Sequence, residues 1–174
     1  MELNSFKEEK RKVNALADQG KMEEALAQCD ALHAQHPEWR VEIIRLRAYT
    51  YTRQGMYQEA IAEREALISS TGGTLRDYYQ LGDNFLSAGR FDEASRWLED
   101  VLRVGAEQKE PWFESAALLL LAYAQMRLGR LQLATSYLDR AVAVDPECAM
   151  PVGGEGVLTH QELRAKINER VTRG

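Results

Sequence analysis

Apolar side chains recur along this chain three and four positions apart, in stripes broken by a glycine at near-regular intervals. Ile44, Ala48 and Tyr51 form one stripe, Tyr78, Leu81, Gly82 and Phe85 another, and Leu118, Leu121 and Ala122 a third. That spacing puts each set on one face of a helix. Past the glycines the stripes resume as Met22, Ala25, Leu26, Cys29 and Leu32, then Tyr57, Ala60, Ile61 and Leu67. Phe91, Ala94, Leu98 and Val101 follow, and Leu131, Ala134, Leu138 and Ala141 close the series. The pattern predicts eight helices in four antiparallel pairs, at roughly 3–18/22–35, 38–54/57–69, 74–88/91–104 and 111–128/131–144. Pro37, Pro111 and Pro146 fall between helices, and Thr71-Gly-Gly-Thr74 marks a turn. A ninth helix is predicted at roughly 159–172, opened by the capping box Thr159-His-Gln-Glu162, with Leu163 and Ile167 as its apolar face.

The glycines belong to an internal repeat. Gly20-Lys-Met-Glu-Glu-Ala25, Gly55-Met-Tyr-Gln-Glu-Ala60, Gly89-Arg-Phe-Asp-Glu-Ala94 and Gly129-Arg-Leu-Gln-Leu-Ala134 all read Gly-x-apolar-x-x-Ala, at spacings of 35, 34 and 40 residues. Each glycine closes one helix in a left-handed turn, and each alanine lets the next helix approach its neighbour closely. The longer last spacing implies an insert around 105–113, read as a loop plus an extra turn beginning near Pro111. The segment 147–158 holds too much glycine for a helix and separates the ninth helix from the array, in the manner of an end cap.

Over about residues 5–146 this pattern resembles the tetratricopeptide repeat. The third copy matches best, with Tyr78, Leu81, Gly82, Phe85, Gly89, Phe91, Ala94 and Leu98 at the signature positions. Elsewhere the copies depart from it: Val13 takes a small slot, Cys29 and Arg64 take large apolar ones, and Gln125 stands where an aromatic is usual. The resemblance implies an all-α fold, a right-handed α-solenoid of antiparallel helix pairs. On that reading residues 1–174 are one domain, with repeats at about 5–37, 38–72, 73–106 and 111–146, a loop at 147–158 and a capping helix at 159–172.

Composition narrows the function. With 45% apolar and 28% charged residues the chain is globular, not disordered. A net charge of −5 gives no general attraction to nucleic acid or to an anionic membrane, and neither is an expected partner. The longest apolar run, 116–124, is far short of a membrane span, and the first ten residues lack the apolar core of a leader. Cys29 and Cys148 are too few for a disulfide framework, so the cytoplasm is the expected compartment.

The resemblance further implies a concave groove lined by the first helix of each pair, suited to a protein or peptide partner. Carried over residue by residue, the binding set is Lys10, Asn14, Arg45, Tyr49, Arg53, Arg76, Tyr79, Asp83, Leu119, Tyr123 and Arg127. The wider groove face counts seven basic and three acidic side chains in an acidic protein, which points to an acidic partner segment. Lys10, Asn14 and Arg76 match part of the family's carboxylate clamp, but Leu46 and Gln80 replace its other members. Leu119, Leu120, Tyr123 and Met126 leave the fourth repeat with an apolar face. It is read either as a partner pocket that could also form a homodimer, or as a surface covered by the 147–158 loop.

No phosphate-binding loop, nucleophile elbow or acid–base pair stands out, so no enzyme, no cofactor and no metal are expected. Cys29, His33 and His36 lie at i, i+4 and i+7, but the first occupies a buried slot of the repeat. The function expected is therefore a non-enzymatic interaction module or adaptor. The alternative is a dedicated inhibitor, immunity protein or secretion chaperone that sequesters a toxin or effector.

Overall fold

The computed structural model describes residues 2–152 and 156–173. Helices α1 (Glu2–Asp18), α2 (Met22–Gln35), α3 (Arg40–Arg53) and α4 (Tyr57–Thr71) form the first compact unit, Met1–Gly72. The second unit, Gly73–Gly174, contains α5 (Leu75–Ser87), α6 (Phe91–Gln108), α7 (Glu114–Arg127), α8 (Leu131–Val144) and α9 (His160–Arg173). Between α8 and α9 lie two antiparallel strands, β1 (Ala149–Val152) and β2 (Gly156–Thr159), with Met150 opposite Leu158. Short 3-10 turns at Pro37–Trp39 and Pro111–Phe113 lead into α3 and α7.

The repeated glycine ends each first helix in the same way. At Gly89 (φ +74°) the amide of Arg90 donates to the Phe85 carbonyl and that of Gly89 to Leu86, which satisfies two carbonyls the helix end leaves open. The equivalent bonds recur at Gly20, Gly55 and Gly129. Elsewhere side chains cap the helices: Thr74 and Asp77 form a reciprocal capping box at α5, and Thr159 and Glu162 do so at α9.

Within the first unit, Val13, Ala17, Ala25, Cys29, Leu32, Ile43 and Leu46 make one apolar cluster, with Phe6, Leu16, Trp39 and Tyr49 packed against it. In the second unit α6 lies against α5 and α7, α7 against α8, and α9 against α8, enclosing Ala94, Leu98, Leu118, Leu121, Ala122, Ala134, Leu138, Leu163 and Ile167. Gln125, in a slot where an aromatic was expected, is buried because its amide donates to Ser95 Oγ at 2.8 Å. A buried amide is tolerated only with such a partner.

Two segments differ from the sequence reading. Helix α6 does not stop near residue 104 but runs on through Gly105 to Gln108. The glycine there is a close-approach residue and not a breaker: a Cβ would sit 3.1 Å from the Glu110 carbonyl, which lies over the helix end. The 147–158 loop is in part a β-hairpin, because Ala149–Val152 alternates outward and inward side chains with the two-residue period of a strand. Gly153, Gly154 and Glu155 of that loop lie outside the described residues.

Candidate functional site

The faces of α3 can be told apart by what they touch. Arg47 reaches toward the second helices, donating to Asp30 of α2 at 2.7 Å and to Glu63 of α4 at 2.8 Å. Tyr49 and Arg53 lie on the opposite side of the same helix. The Tyr49 hydroxyl donates to Asp18 of α1 at 2.7 Å, and Arg53 Nε lies 2.8 Å from the same carboxylate. Helices α1 and α3 therefore share a face turned away from α2 and α4. It carries Lys7, Lys10, Arg11, Asn14, Asp18, Glu42, Arg45, Tyr49 and Arg53, five cations against two carboxylates.

Not all of that charge is spent internally. Arg45 Nη1 lies 3.6 Å from Glu42, and Arg53 is held by Asp18. Lys7 and Lys10 are exposed, and neither has an ion pair among the described residues. The Asn14 Oδ1 is shielded from solvent and accepts no hydrogen bond among the described residues. Partial burial, with the Asp18 carboxylate beside it, raises the Tyr49 phenol above its ordinary value, so it stays a neutral donor. The face thus offers cations and a fixed tyrosine.

The second unit behaves differently. Arg76 is exposed, and Asp83 is half-buried on α5. Tyr79 stacks on Phe113 at 4.9 Å between ring centroids, and its hydroxyl lies 3.5 Å from the Met150 sulfur. Burial, assisted by Asp83, pushes its phenol well above the usual range. Arg127 places its guanidinium 4.7 Å from the Phe91 ring centroid and donates to the Tyr123 hydroxyl at 2.6 Å. Strand β1 packs on α7, with Met150 and Val152 turned inward.

That packing corrects one expectation. Leu119, Leu120, Tyr123 and Met126 are between 0% and 2% exposed, so Leu119 and Tyr123 do not line an open partner pocket. Nor do they offer an apolar surface for a homodimer. The hairpin and α9 cover them, because a helix apolar on every side must be enclosed on every side. Met150, Val152 and Phe113 were missed as parts of this face. The inward alternation at Met150 and Val152 was the available signal, and two positions are too few to read with assurance.

The two thiols also find protected places. Cys29 sits in the first core, and burial pushes its thiol up to about 11. His36 stacks on Trp39 at 3.9 Å between centroids, with its Nδ1 3.1 Å from Glu38. Cys148, in the segment read from the sequence as a loop, is only 4% exposed. Both cysteines should therefore alkylate slowly in the native chain and quickly in denaturant. Equal native and denatured rates for either thiol would refute that placement. Because the folded chain holds Cys29 protonated above its ordinary 9.0, the unfolded chain ionises first. That thiol's contribution to stability is complete below pH about 9 and declines as pH rises toward about 11.

Among the described residues no helix is long and apolar enough to cross a membrane. Residues 115–148, which span α7 and α8, match the family model of the tetratricopeptide repeat. Among curated proteins no sequence match was found. Solved structures do match. Residues 41 to the end of MamA from Desulfovibrio magneticus RS-1 superpose with a TM-score of 0.67 at 20% identity, covering 82% of this chain and 76% of that one. A tetratricopeptide repeat protein from Parabacteroides merdae ATCC 43184 gives a TM-score of 0.72 at 16% identity, over 98% of this chain and 61% of the other. The tetratricopeptide-like repeats of a putative kinesin light chain from Podosopora anserina give 0.66 at 22%, over 82% and 75%. Residues 115–148 are thus a tetratricopeptide repeat, and the chain has the all-α fold of proteins built from that repeat, a fold that supports protein–protein interaction.

Proposed function

We propose that the chain is a non-enzymatic interaction module that engages an acidic segment of a protein partner through the face shared by α1 and α3. The open, net-basic character of that face carries the reading. Lys7, Lys10, Arg45 and Arg53 outnumber Asp18 and Glu42. Arg76, exposed on α5, is a candidate contact in the second unit. Tyr79, Leu119 and Tyr123 serve instead to seat the hairpin.

The test is charge reversal against a partner recovered from the native cell. Lys10→Glu and Arg45→Glu should each weaken it, chiefly through slower association, and added salt should do the same as the Debye length falls to ~8 Å. Lys21→Glu and Arg96→Glu, on or beside the second helices of their pairs, should change little. Folding stability should move by only about ±0.5 kcal/mol for these exposed changes, so unfolding could not account for lost binding. If both groups of reversals behaved alike, this face would not be the binding surface.

A further inference from the structure

Where α9 packs against the end of α7, a recess of about 520 Å³ is lined by Met126, Arg127, Lys166, Glu169, Arg170 and Arg173. Four of its five charged side chains are cationic. Glu169 is itself engaged by Arg173 at 3.9 Å. Arg170 is anchored without meeting a carboxylate among the described residues, its Nη1 donating to the Met126 backbone carbonyl at 3.0 Å. Arg127 is braced over the Phe91 and Tyr123 rings, at 4.7 and 5.6 Å from their centroids. Two of the four guanidinium and ammonium heads are therefore pre-positioned.

Helix ends attract cations, and α7 and α9 both end here, which accounts for Arg127, Arg170 and Arg173 one by one. That attraction does not reach Lys166, two turns before the end of α9 and one turn after Glu162, whose carboxyl the Thr159 cap, with help from Lys166, holds below its ordinary value. Lys166, Arg170 and Arg173 follow each other at i+4 and i+3, so they form a single row on one face. We infer that this recess is an anion-binding surface for a run of carboxylates in an extended acidic segment of a partner polypeptide. Seven residues of helix extend about 10 Å, which an extended chain spans with roughly three residues, so that its alternate side chains can meet the row. A single small oxyanion would reach only part of the row.

The inference goes beyond the α1–α3 reading and stands or falls separately from it. An octaglutamate peptide titrated into the 15N-labelled full chain at low salt should move the amide signals of Met126 and of 166–173. Lys166→Glu with Arg173→Glu should weaken that response by about tenfold. Neither of these side chains holds the Met126 carbonyl, and an unchanged melting temperature would confirm that α9 stays packed. Arg140→Glu on α8, outside the recess, should leave the response intact. Shifts confined to α1 and α3 would overturn the inference and leave the proposed function standing. It would also fail if those α9 signals stayed still, if the double reversal left them unchanged, or if inorganic phosphate at equal concentration moved them as far.

Discussion

Aspartates placed together at Met150 and Val152 should lift the hairpin from α7 and turn a chain that leaves hydrophobic dye alone into one that binds it. Met150, Val152 and Leu158 are 7%, 3% and 4% exposed, whereas Val157 on the opposite face of the hairpin is 67% exposed. An ionised carboxylate cannot stay in such a place without a partner, so the strand must leave or the group must be neutralised. Losing the two apolar side chains alone removes roughly 2–5 kcal/mol of local stabilisation. Strand β1 packs on α7, whose Leu119, Leu120, Tyr123 and Met126 are buried, and the part of that helix it covers would then meet water. The control is Pro151→Asp with Val157→Asp on the outward face, where the same added charge should be harmless. Dye fluorescence, read beside far-UV circular dichroism, separates the outcomes. A helical protein with strong dye binding is expected from the inward pair only, and a dye-silent inward variant with native melting would mean that the hairpin is no cover.

That cover explains where sequence reasoning succeeded and where it stopped. The helices were legible because their signals are many and mutually consistent: apolar stripes, a glycine turn repeated four times and a capping box. Each feature fixes backbone through bonds local in the chain, as at Gly89 and Thr159. On α3, helical geometry alone sets Tyr49 opposite Arg47. The fate of α7 was not. Whether Leu119 and Tyr123 meet a partner or the chain's own β1 depends on residues about thirty positions away, held by a contact such as Tyr79 with Met150. No local periodicity encodes a contact of that length. Cys148 was misplaced by the same event, because the ordered hairpin that seats Met150 also encloses its neighbour. Gly105 shows a further limit: a glycine that breaks a helix and one that admits a neighbouring carbonyl look alike until the neighbour is seen.

Gly82 is the position where such an approach has a measurable sign. It lies inside α5, where glycine costs a helix about 1 kcal/mol relative to alanine, so Gly82→Ala should stabilise the chain on propensity alone. Across the α5–α6 interface, however, an added Cβ would fall 2.9 Å from Leu98 Cγ and 3.0 Å from its Cδ2. Leu98 is fully buried, and a close-packed interior gives it little room to turn. Gly82→Ala alone should therefore destabilise by roughly 1–3 kcal/mol through overpacking. Leu98→Ala alone should cost about 2–5 kcal/mol, the transfer of its side chain plus the cavity left behind. With both changes made, the clash is gone and the propensity gain remains. In the Leu98→Ala background the glycine change should become neutral or stabilising by up to about 1 kcal/mol. Four proteins and urea unfolding at one temperature complete the cycle. The sign reversal is the diagnostic, because a general loosening of the second unit would make the two losses add. A Gly82→Ala change that stabilised both backgrounds would show that α5 and α6 pack less closely than the structure has them.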